Sequence, residues 1–472
     1  MNLQSSESIV EAQKAVGVVP ADARSWAYAF AGIVGARRVV TDPSPCAGFS
    51  VGGVIPGAVV YPRTADDVAA VLAMASSWGL AVIPLRNRTK ADWGNPPPRY
   101  HIALCLKELN QVWHYEPDDL TISVEAGMKF GDLQHFLGRR GLWLPLDPTG
   151  GERATIGGIL AANAAGPLRL RYGAPRDIVI GMKFATLDGK IIKTGGRVVK
   201  NVAGYDLSKL MIGSWGTLGV IVEASFKLFP LPPRRQTLVF SAVSLEAFRQ
   251  LRRDILGSPL TPMRMVLLNP TARAIAYGHQ PGNEPDSGHE LWVEVGGSDG
   301  VLRRSAQILS ELAAHAGCTP DRPGERDEAI SCACWDRIAD PTSWELEPAS
   351  DRIILKATLP VASSEKFLEM AYQEAEQEEW RLASFAQTGT GAILLCTLAT
   401  KGDSRIANFV SRLRTVATQL AGALTIASGP LALKQQVDSW GPSPTDFTMM
   451  RKLKQALDPS GILSPGRFVG GL

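Results

Sequence analysis

The stretch VVKNVAGYDLSKLMIGSWGTLGVIV, Val198 to Val222, decides how this chain folds. Gly213, Gly216 and Gly219 recur at even spacing and lead straight into an apolar run. Glycine lets backbone N–H groups approach a diphosphate closely and reaches positive φ without steric cost. Beyond Gly219 the apolar residues alternate as Val220, Val222, Ala224, Phe226 and Leu228, the pattern of a half-buried strand. The segment reads as a phosphate-lining turn that feeds a sheet.

Two further glycine clusters lie upstream. Thr155-Ile156-Gly157-Gly158 follows Pro145-Leu146-Asp147-Pro148, and Gly166, Tyr172 and Gly173 come next. One such cluster is an ordinary tight turn. Several, each at the end of a strand or helix, favour a nucleotide site. None has the strand-to-helix G-x-G-x-x-G context and no Walker loop occurs, so neither a Rossmann nor a P-loop site is expected.

Outward from these clusters the elements follow. Ala58 to Tyr61 reads as a strand, Thr64-Ala65-Asp66-Asp67 as a helix start, and Val68, Val71, Leu72 and Ala75 as its apolar face. Gly79 ends that helix and Leu80 to Pro84 returns as a strand, which makes a β-α-β start. Strands are expected at 102–106 and 120–125, and a helix from Phe130 to Arg140. Asp188-Gly189, between Ile178–Leu187 and Lys190–Thr194, predicts a hairpin with a type I′ turn. Pro230, Pro232 and Pro233 mark a domain boundary. Beyond it, strand-like runs (237–240, 291–295, 353–357, 393–398) alternate with amphipathic helices near 245–256, 301–316, 363–377 and 405–421, an α+β pattern with an antiparallel sheet.

With 472 residues the chain is long enough for two cores. A formal charge of +3 gives no case for nucleic acid. No apolar run has the ~18 or more residues of a membrane helix, and the N-terminus lacks the pattern of a signal peptide. A cytoplasmic protein, docked to a membrane only through partners, is the expectation. Cys46, Cys105, Cys318, Cys332, Cys334 and Cys396 include a single C-x-C, so no metal site is expected. His101, His114, His135, His279, His289 and His315 show no paired spacing and read as surface or core residues. Lys200 and Asn201 read as a loop-stabilising pair, with a place near a cofactor as the alternative. Arg176-Asp177 reads as a buried ion pair, and Trp78, Trp113, Trp143 and Trp215 as core or interface anchors.

Three segments carry a family resemblance: PLDPTGGERATIGGILAANAAGPLRLRYGAPRDIVIG (Pro145–Gly181), RVVKNVAGYDLSKLMIGSWGTLGVI (Arg197–Ile221) and the terminal LKQALDPSGILSPGRFVGGL. They resemble the PCMH-type FAD-binding proteins of the vanillyl-alcohol oxidase superfamily, and within it the FAD-binding E-type subunit of bacterial glycolate oxidase. The likeness spans residues 56 to 472. It implies an α+β fold in which a two-subdomain PCMH-type FAD-binding domain (56–232), after a helical segment (1–55), precedes an α+β cap domain with an antiparallel sheet (233–445). A tail (446–472) returns to the FAD domain. It further implies that Thr155, Gly157 and Gly158 line the diphosphate, with Pro148 in the same set. Ala162, Gly166 and Tyr172 would lie along the flavin, and Gly216, Gly219, Val220 and Ile221 would meet the adenosine or ribityl part. No histidine stands near the first loop, so the implied FAD is non-covalent. The implied partners are a D-type catalytic flavoprotein, an iron–sulfur F-type subunit and a small 2-hydroxy acid.

Two departures from the family pattern matter. The first diphosphate loop, usually P-R-G-G-G-T-K, here reads Pro84-Leu85-Arg86-Asn87-Arg88-Thr89-Lys90. Either Arg86, Arg88 and Lys90, with Asn87 and Thr89, bind the diphosphate by charge and hydrogen bonds, or the loop is a basic solvated turn and FAD is weakened or lost. In the second case the chain is a non-catalytic, flavin-poor scaffold of the same complex. Catalytic relatives also carry H-x-G-D-G-N-x-H in the cap, where this chain has Gln387-Thr388-Gly389-Thr390-Gly391-Ala392-Ile393-Leu394, and Trp215 replaces the acid of G-S-E-G-T-L-G. Both changes fit the E-type subunit and leave the catalytic residues unassigned.

Overall fold

Thr64 starts the first crossover helix with a reciprocal cap. Its Oγ1 accepts the Asp67 N–H at 3.0 Å, and the Asp67 carboxylate accepts the Thr64 N–H at 3.3 Å. A capping box of this kind contributes about 1 kcal/mol. The helix, Ala65–Ser77, buries Val68, Val71, Leu72 and Ala75, the face that the spacing implies. The computed structural model describes residues 23–196, 205–280, 288–320, 328–341, 344, 352–398 and 405–472. Lys200 and Asn201, and the first part of the expected N-terminal helical segment, lie outside them.

This helix crosses over a four-stranded sheet. Its strands are β1 (Val39–Val40), β2 (Ala58–Val60), β3 (Val82–Leu85) and β4 (Ile102–Cys105), ordered β1-β2-β4-β3. β2, β4 and β3 run parallel, and β1 joins antiparallel at the edge. A second, antiparallel sheet follows, built from β5 (Val112–Glu116), β6 (Thr121–Glu125), β8 (Val179–Ala185), β9 (Ile191–Gly195) and β10 (Val220–Lys227) in the order β5-β6-β10-β8-β9. β7 (Leu142–Trp143), which follows β6 in the chain, pairs with β11 (Phe229–Pro230), which follows β10.

Three readings need correction here. β10 is not half-buried: Ile221 and Ser225, on the face opposite Val220, Val222, Ala224 and Phe226, are buried as well. The second face is covered because Ile221 looks into a cleft shared with the first sheet. The Asp188-Gly189 hairpin is not a two-residue type I′ turn. Only Gly189 has positive φ (77°), and the Thr186 N–H donates to the Lys190 carbonyl at 3.0 Å. Leu187, Asp188 and Gly189 thus form a three-residue loop with glycine in the left-handed position. Arg176 and Asp177 are both exposed and form no buried pair; the Asp177 carboxylate accepts the Ala174 N–H at 2.8 Å.

The second half of the chain forms an eight-stranded antiparallel sheet. Its strands are β12 (Arg234–Ala242), β13 (Arg264–Leu268), β14 (His289–Gly297), β15 (Thr319–Pro320), β16 (Arg352–Thr358), β17 (Leu382–Gln387), β18 (Ala392–Leu398) and β19 (Ala423–Ser428), ordered β15-β12-β14-β13-β17-β18-β16-β19. One face packs Leu291, Val293, Leu355, Ile393 and Leu395 against the amphipathic helices Leu245–Gly257, Asp299–His315, Ser364–Gln377 and Arg405–Gln419. A buried bidentate pair, Arg252 to Glu365 at 2.8 and 2.9 Å, ties two of these helices together. The opposite face carries Val266, Trp292, Phe385 and Leu394. Trp335 and Trp344 pack on it, and so does Trp93 from the first half of the chain. An α+β fold with a two-subdomain first half and an antiparallel cap sheet is therefore what the chain adopts.

The end of the chain turns back. The Val82 N–H donates to the Ile462 carbonyl at 2.8 Å and the Ser464 N–H to the Val82 carbonyl at 2.9 Å, so residues 462–464 run alongside β3. Lys454, in the helix Phe447–Leu457, is buried and donates to the Thr217 carbonyl at 2.8 Å, the Leu463 carbonyl at 2.9 Å and Asp458 at 2.5 Å.

Candidate cofactor site

β3 ends at Leu85, and the chain then runs along the mouth of a cleft between the first two sheets. Leu106 and Ala126 line it from the ends of β4 and β6, and Val220 and Ile221 from the start of β10. Ser464 and Arg467 close it from the returning tail. The charged residues of the wall are Arg86, Arg88, Lys90 and Arg467; no carboxylate lines it among the described residues. A cleft with only positive walls and bare glycines opposite suits a ligand with at least two negative charges.

The glycine-less loop is braced by its own side chains. Arg86 Nη1 donates to the Gly127 carbonyl. Asn87 Nδ2 donates to the Arg153 carbonyl at 2.6 Å, and Lys90 Nζ to the Thr149 carbonyl at 2.6 Å. Thr89 packs on Gly150, where a Cβ would stand 2.6 Å from its own. Burial pushes the Lys90 ammonium down to about 8, against the pull of Asp340. Arg88 is different. It takes φ 56° and lays its guanidinium 5.5 Å from the Phe49 ring centroid; its carbonyl accepts the Ala91 N–H at 3.0 Å, but the guanidinium makes no hydrogen bond or ion pair among the described residues. A guanidinium has five donors and an ammonium three, so Arg86 and Lys90 keep donors beyond the carbonyls they hold.

Across the cleft, Thr155 caps the short helix Ile156–Ala161, its Oγ1 accepting the Gly158 N–H at 3.4 Å. The Gly157 N–H donates to the Ala126 carbonyl at 2.7 Å, and a Cβ there would stand 3.0 Å from the Ala126 Cβ. Gly157 thus brings helix and sheet together as well as leaving the wall bare. Gly216 has φ 69°, and a Cβ on it would press to 2.9 Å from Pro84 and 3.4 Å from Ser464. Gly219 lets β10 start close against the Ala185 carbonyl, 3.0 Å from where a Cβ would sit.

The structure brings Arg86, Asn87, Arg88, Thr89, Lys90, Thr155, Gly157, Gly158, Ala162, Gly216, Gly219, Val220 and Ile221 to this one cleft. Pro148, Gly166 and Tyr172 are not among its lining residues. The Pro148 carbonyl accepts the Gly151 N–H at 2.9 Å. Gly166 donates to Asp147 at 2.9 Å, and a Cβ on it would stand 2.4 Å from the Asp147 carbonyl oxygen. Tyr172 is wedged edge-on between Trp143 and Phe229, with ring centroids 5.5 and 5.2 Å away. Sequence reasoning missed Ala126, Ser214, Ser464 and Arg467. For the last two the signal was the turn-rich SPGR of the tail; for Ala126 no local signal existed.

Trp215 also lines the cleft, with φ 56°. It stacks on Trp93 (6.4 Å, 22°) and meets Trp440 edge-on at 5.1 Å. Beside it, the Ser214 hydroxyl is buried and has no protein partner among the described residues. An orphaned hydroxyl in a cationic, glycine-walled cleft fits a cofactor that brings both acceptors and negative charge, as the FAD diphosphate and ribityl chain do. The cleft lining contains neither histidine nor cysteine among the described residues, which fits a non-covalent flavin.

Comparison with known proteins identifies the family. Residues 56–195 match the FAD binding domain family, and residues 231–468, half of the chain, match the C-terminal domain of FAD linked oxidases. The glycolate oxidase subunit GlcD of Bacillus subtilis (strain 168) is 27% identical over 420 residues, covering 88% of this chain and 89% of that protein. The mitochondrial D-lactate dehydrogenase [cytochrome] of Arabidopsis thaliana is 26% identical over 423 residues, covering 88% of this chain and 74% of that one. Among solved structures, 4-ethylphenol oxidase from Gulosibacter chungangensis superposes with a TM-score of 0.74 at 16% identity, covering 95% of this chain and 97% of that one, a likeness of fold alone. No helix among the described residues is long and apolar enough to cross a membrane. The chain belongs to the FAD-linked oxidases, with a PCMH-type fold homologous to the glycolate oxidase and D-2-hydroxy-acid dehydrogenase subunits, and its cofactor is non-covalent FAD.

Proposed function

We propose that this chain is the FAD-binding, E-type subunit of a multi-subunit glycolate-type dehydrogenase, acting with a D-type catalytic flavoprotein and an iron–sulfur F-type subunit. The observation that carries the reading is the cap face that looks onto the first half of the chain. It carries Trp292, Trp335, Trp344 and Phe385 with Trp93 against them, and Lys356 beside Leu394, near Lys90 and Arg169. The β17–β18 hairpin, Gln387 to Ala392, has no histidine where the catalytic relatives' motif has its first. A hydroxy acid needs a base beside a flavin; the rings supply none, and Lys356 offers only a cationic anchor.

Bound FAD supplies the redox chemistry by accepting electrons from a hydroxy-acid oxidation. The chain's own residues hold it. Arg88 supplies charge to the diphosphate, with the remaining donors of Arg86 and Lys90. Asn87 and Thr89 fix the loop, Ser214 completes a hydrogen bond, and Thr155, Gly157, Gly158, Ala162, Gly216, Gly219, Val220 and Ile221 form the wall. Pro148, Gly166 and Tyr172 shape the wall from behind. The complex works in the cytoplasm, at the inner face of the membrane through its partners.

Purified alone, the chain should be yellow and release FAD on denaturation, and it should reduce no dye with glycolate or D-lactate until the partner subunits are added. A folded, colourless protein that takes up no added FAD would return the reading to a flavin-poor scaffold. Turnover of glycolate by the isolated chain would overturn the subunit assignment.

A further inference from the structure

Trp215 stands where the family motif carries an acid, and it lines the cofactor cleft in a left-handed conformation, φ 56°. That conformation is an outlier for a bulky side chain and persists only where the surroundings fix it. The Trp215 N–H donates to the Ala161 carbonyl at 2.9 Å. Its ring stacks on Trp93 and meets Trp440 edge-on. Trp93 is tied to the cation loop, its N–H donating to the Lys90 carbonyl at 3.1 Å, and to the tail, its carbonyl accepting from Arg467 at 2.6 Å. Trp440 donates to the Arg467 carbonyl at 2.8 Å and packs edge-on against Phe468 at 5.0 Å. For all this support the indole is only half-buried, and its N–H makes no hydrogen bond among the described residues.

The short helix Ile156–Ala161 places this ring relative to the diphosphate. The first turn meets the cation loop: the Gly157 N–H donates to the Ala126 carbonyl at 2.7 Å, and Arg86 donates to the next carbonyl, Gly127. The last residue holds Trp215 through the Ala161 carbonyl. At 1.5 Å rise per residue the two ends are roughly 9 Å apart. A flavin dinucleotide leaves its diphosphate in two directions. One end of the cleft, at Leu106, Val220 and Ile221, is buried between the strand ends of the two sheets. The other, at Trp215, adjoins the cap, because Trp93 packs on the Trp-rich face of the cap sheet. A ring that exchanges electrons with other molecules belongs at the less enclosed end.

We propose that Trp215 packs against the isoalloxazine ring of FAD and positions it, with Trp93 and Trp440 as the buttress. An indole offers a flat apolar surface to a flat ring system, and such aromatic pairs gain more than their buried area alone provides.

ADP keeps the adenosine and the diphosphate of FAD and lacks the isoalloxazine, so it separates the two ends of the dinucleotide. Dilution of the full-length, FAD-loaded chain, read by the fluorescence of released FAD, gives the FAD affinity; displacement of FAD by ADP gives that of ADP. Trp215→Leu should weaken FAD roughly tenfold and leave ADP unchanged, and unchanged ADP binding also shows that the cleft is folded. Trp215→Gly, which removes the ring and releases the left-handed strain, should give the same pattern, and Trp215→Phe should retain part of the FAD affinity. The emission of bound flavin is a second readout. An indole in contact gives one electron to the light-excited flavin and takes it back, so emission is quenched without net reaction. Bound flavin should be nearly dark in the wild type and several-fold brighter in Trp215→Phe. Neither readout needs partner subunits or turnover, so both stand apart from the subunit assignment. Equal loss of FAD and ADP affinity in a variant with native circular dichroism, FAD affinity unchanged in Trp215→Leu and Trp215→Gly, or emission equally quenched in every Trp215 variant would each overturn the proposal.

Discussion

Arg88 and Asp147 show how single residues are read against their surroundings. Arg88 holds a left-handed backbone conformation that costs a non-glycine residue about 1 kcal/mol, and no protein acceptor compensates it among the described residues. Arg88→Gly should therefore leave the melting temperature unchanged or raised, while FAD binding weakens roughly tenfold through loss of a charge-assisted contact. Fluorescence of released FAD and a thermal melt separate the two effects. Asp147 accepts the Gly166 and Leu168 N–H groups at 2.9 and 2.8 Å and lies 3.6 Å from Arg264. Even so, burial pushes its carboxyl up to about 6 from 3.8. A folded-state value above the unfolded one means that the native state binds the proton more tightly. Its contribution is fully present below about 3.8 and is lost as pH rises through about 6. Asp147→Asn should flatten the dependence of melting temperature on pH between those two values; an unchanged slope would show that another group sets it.

At the scale of elements, the first loop and the tail are both fastened at the cleft by polar contacts to distant segments. Arg86, Asn87 and Lys90 fasten the loop to carbonyls at 127, 153 and 149. The tail is fastened through Lys454, which holds Thr217 in the glycine turn and is paired with Asp458 inside the protein. Removing one partner of a buried pair leaves the other uncompensated, at a cost of about 3–5 kcal/mol. Lys454→Met should lower stability by that order in denaturant titration. It should also loosen FAD, because the tail that supplies Ser464 and Arg467 to the cleft is no longer fixed on Thr217. Equal FAD affinity in a destabilised variant would mean that the turn keeps its shape without the tail.

Across the whole molecule, the FAD cleft joins two sheets and the chain terminus, so ligand and fold are linked. A ligand that binds only the native state stabilises by mass action, about 2.7 kcal/mol at a hundredfold excess over its dissociation constant. Stripping the flavin should lower the melting temperature, and added FAD should restore it where riboflavin does not. Riboflavin lacks the diphosphate, and the charged residues lining the cleft are Arg86, Arg88, Lys90 and Arg467. High salt should reduce the gain, since part of it is electrostatic.

The sequence alone determined what depends on local pattern. The Thr64 cap, the helical faces, the positions of β6, β8, β10 and β12, and the glycine clusters follow from residue spacing, because capping, periodicity and positive φ act within a few residues. Long motifs carried the family and the flavin for the same reason. Short strands such as β13 and β19 escaped, since RMVLL and ALTIAS match neither period strongly and owe their pairing to neighbours far along the chain. Only the tertiary structure decided what a glycine-less loop does. Charge alone suggested that Arg86, Arg88 and Lys90 face a diphosphate, but the carbonyls that engage two of them belong to segments some forty to sixty residues away. The Val198–Val222 stretch announced a phosphate turn; that Gly216 meets Pro84 and Ser464, and that Ser214 is left without a partner, depends on three distant segments meeting at one cleft.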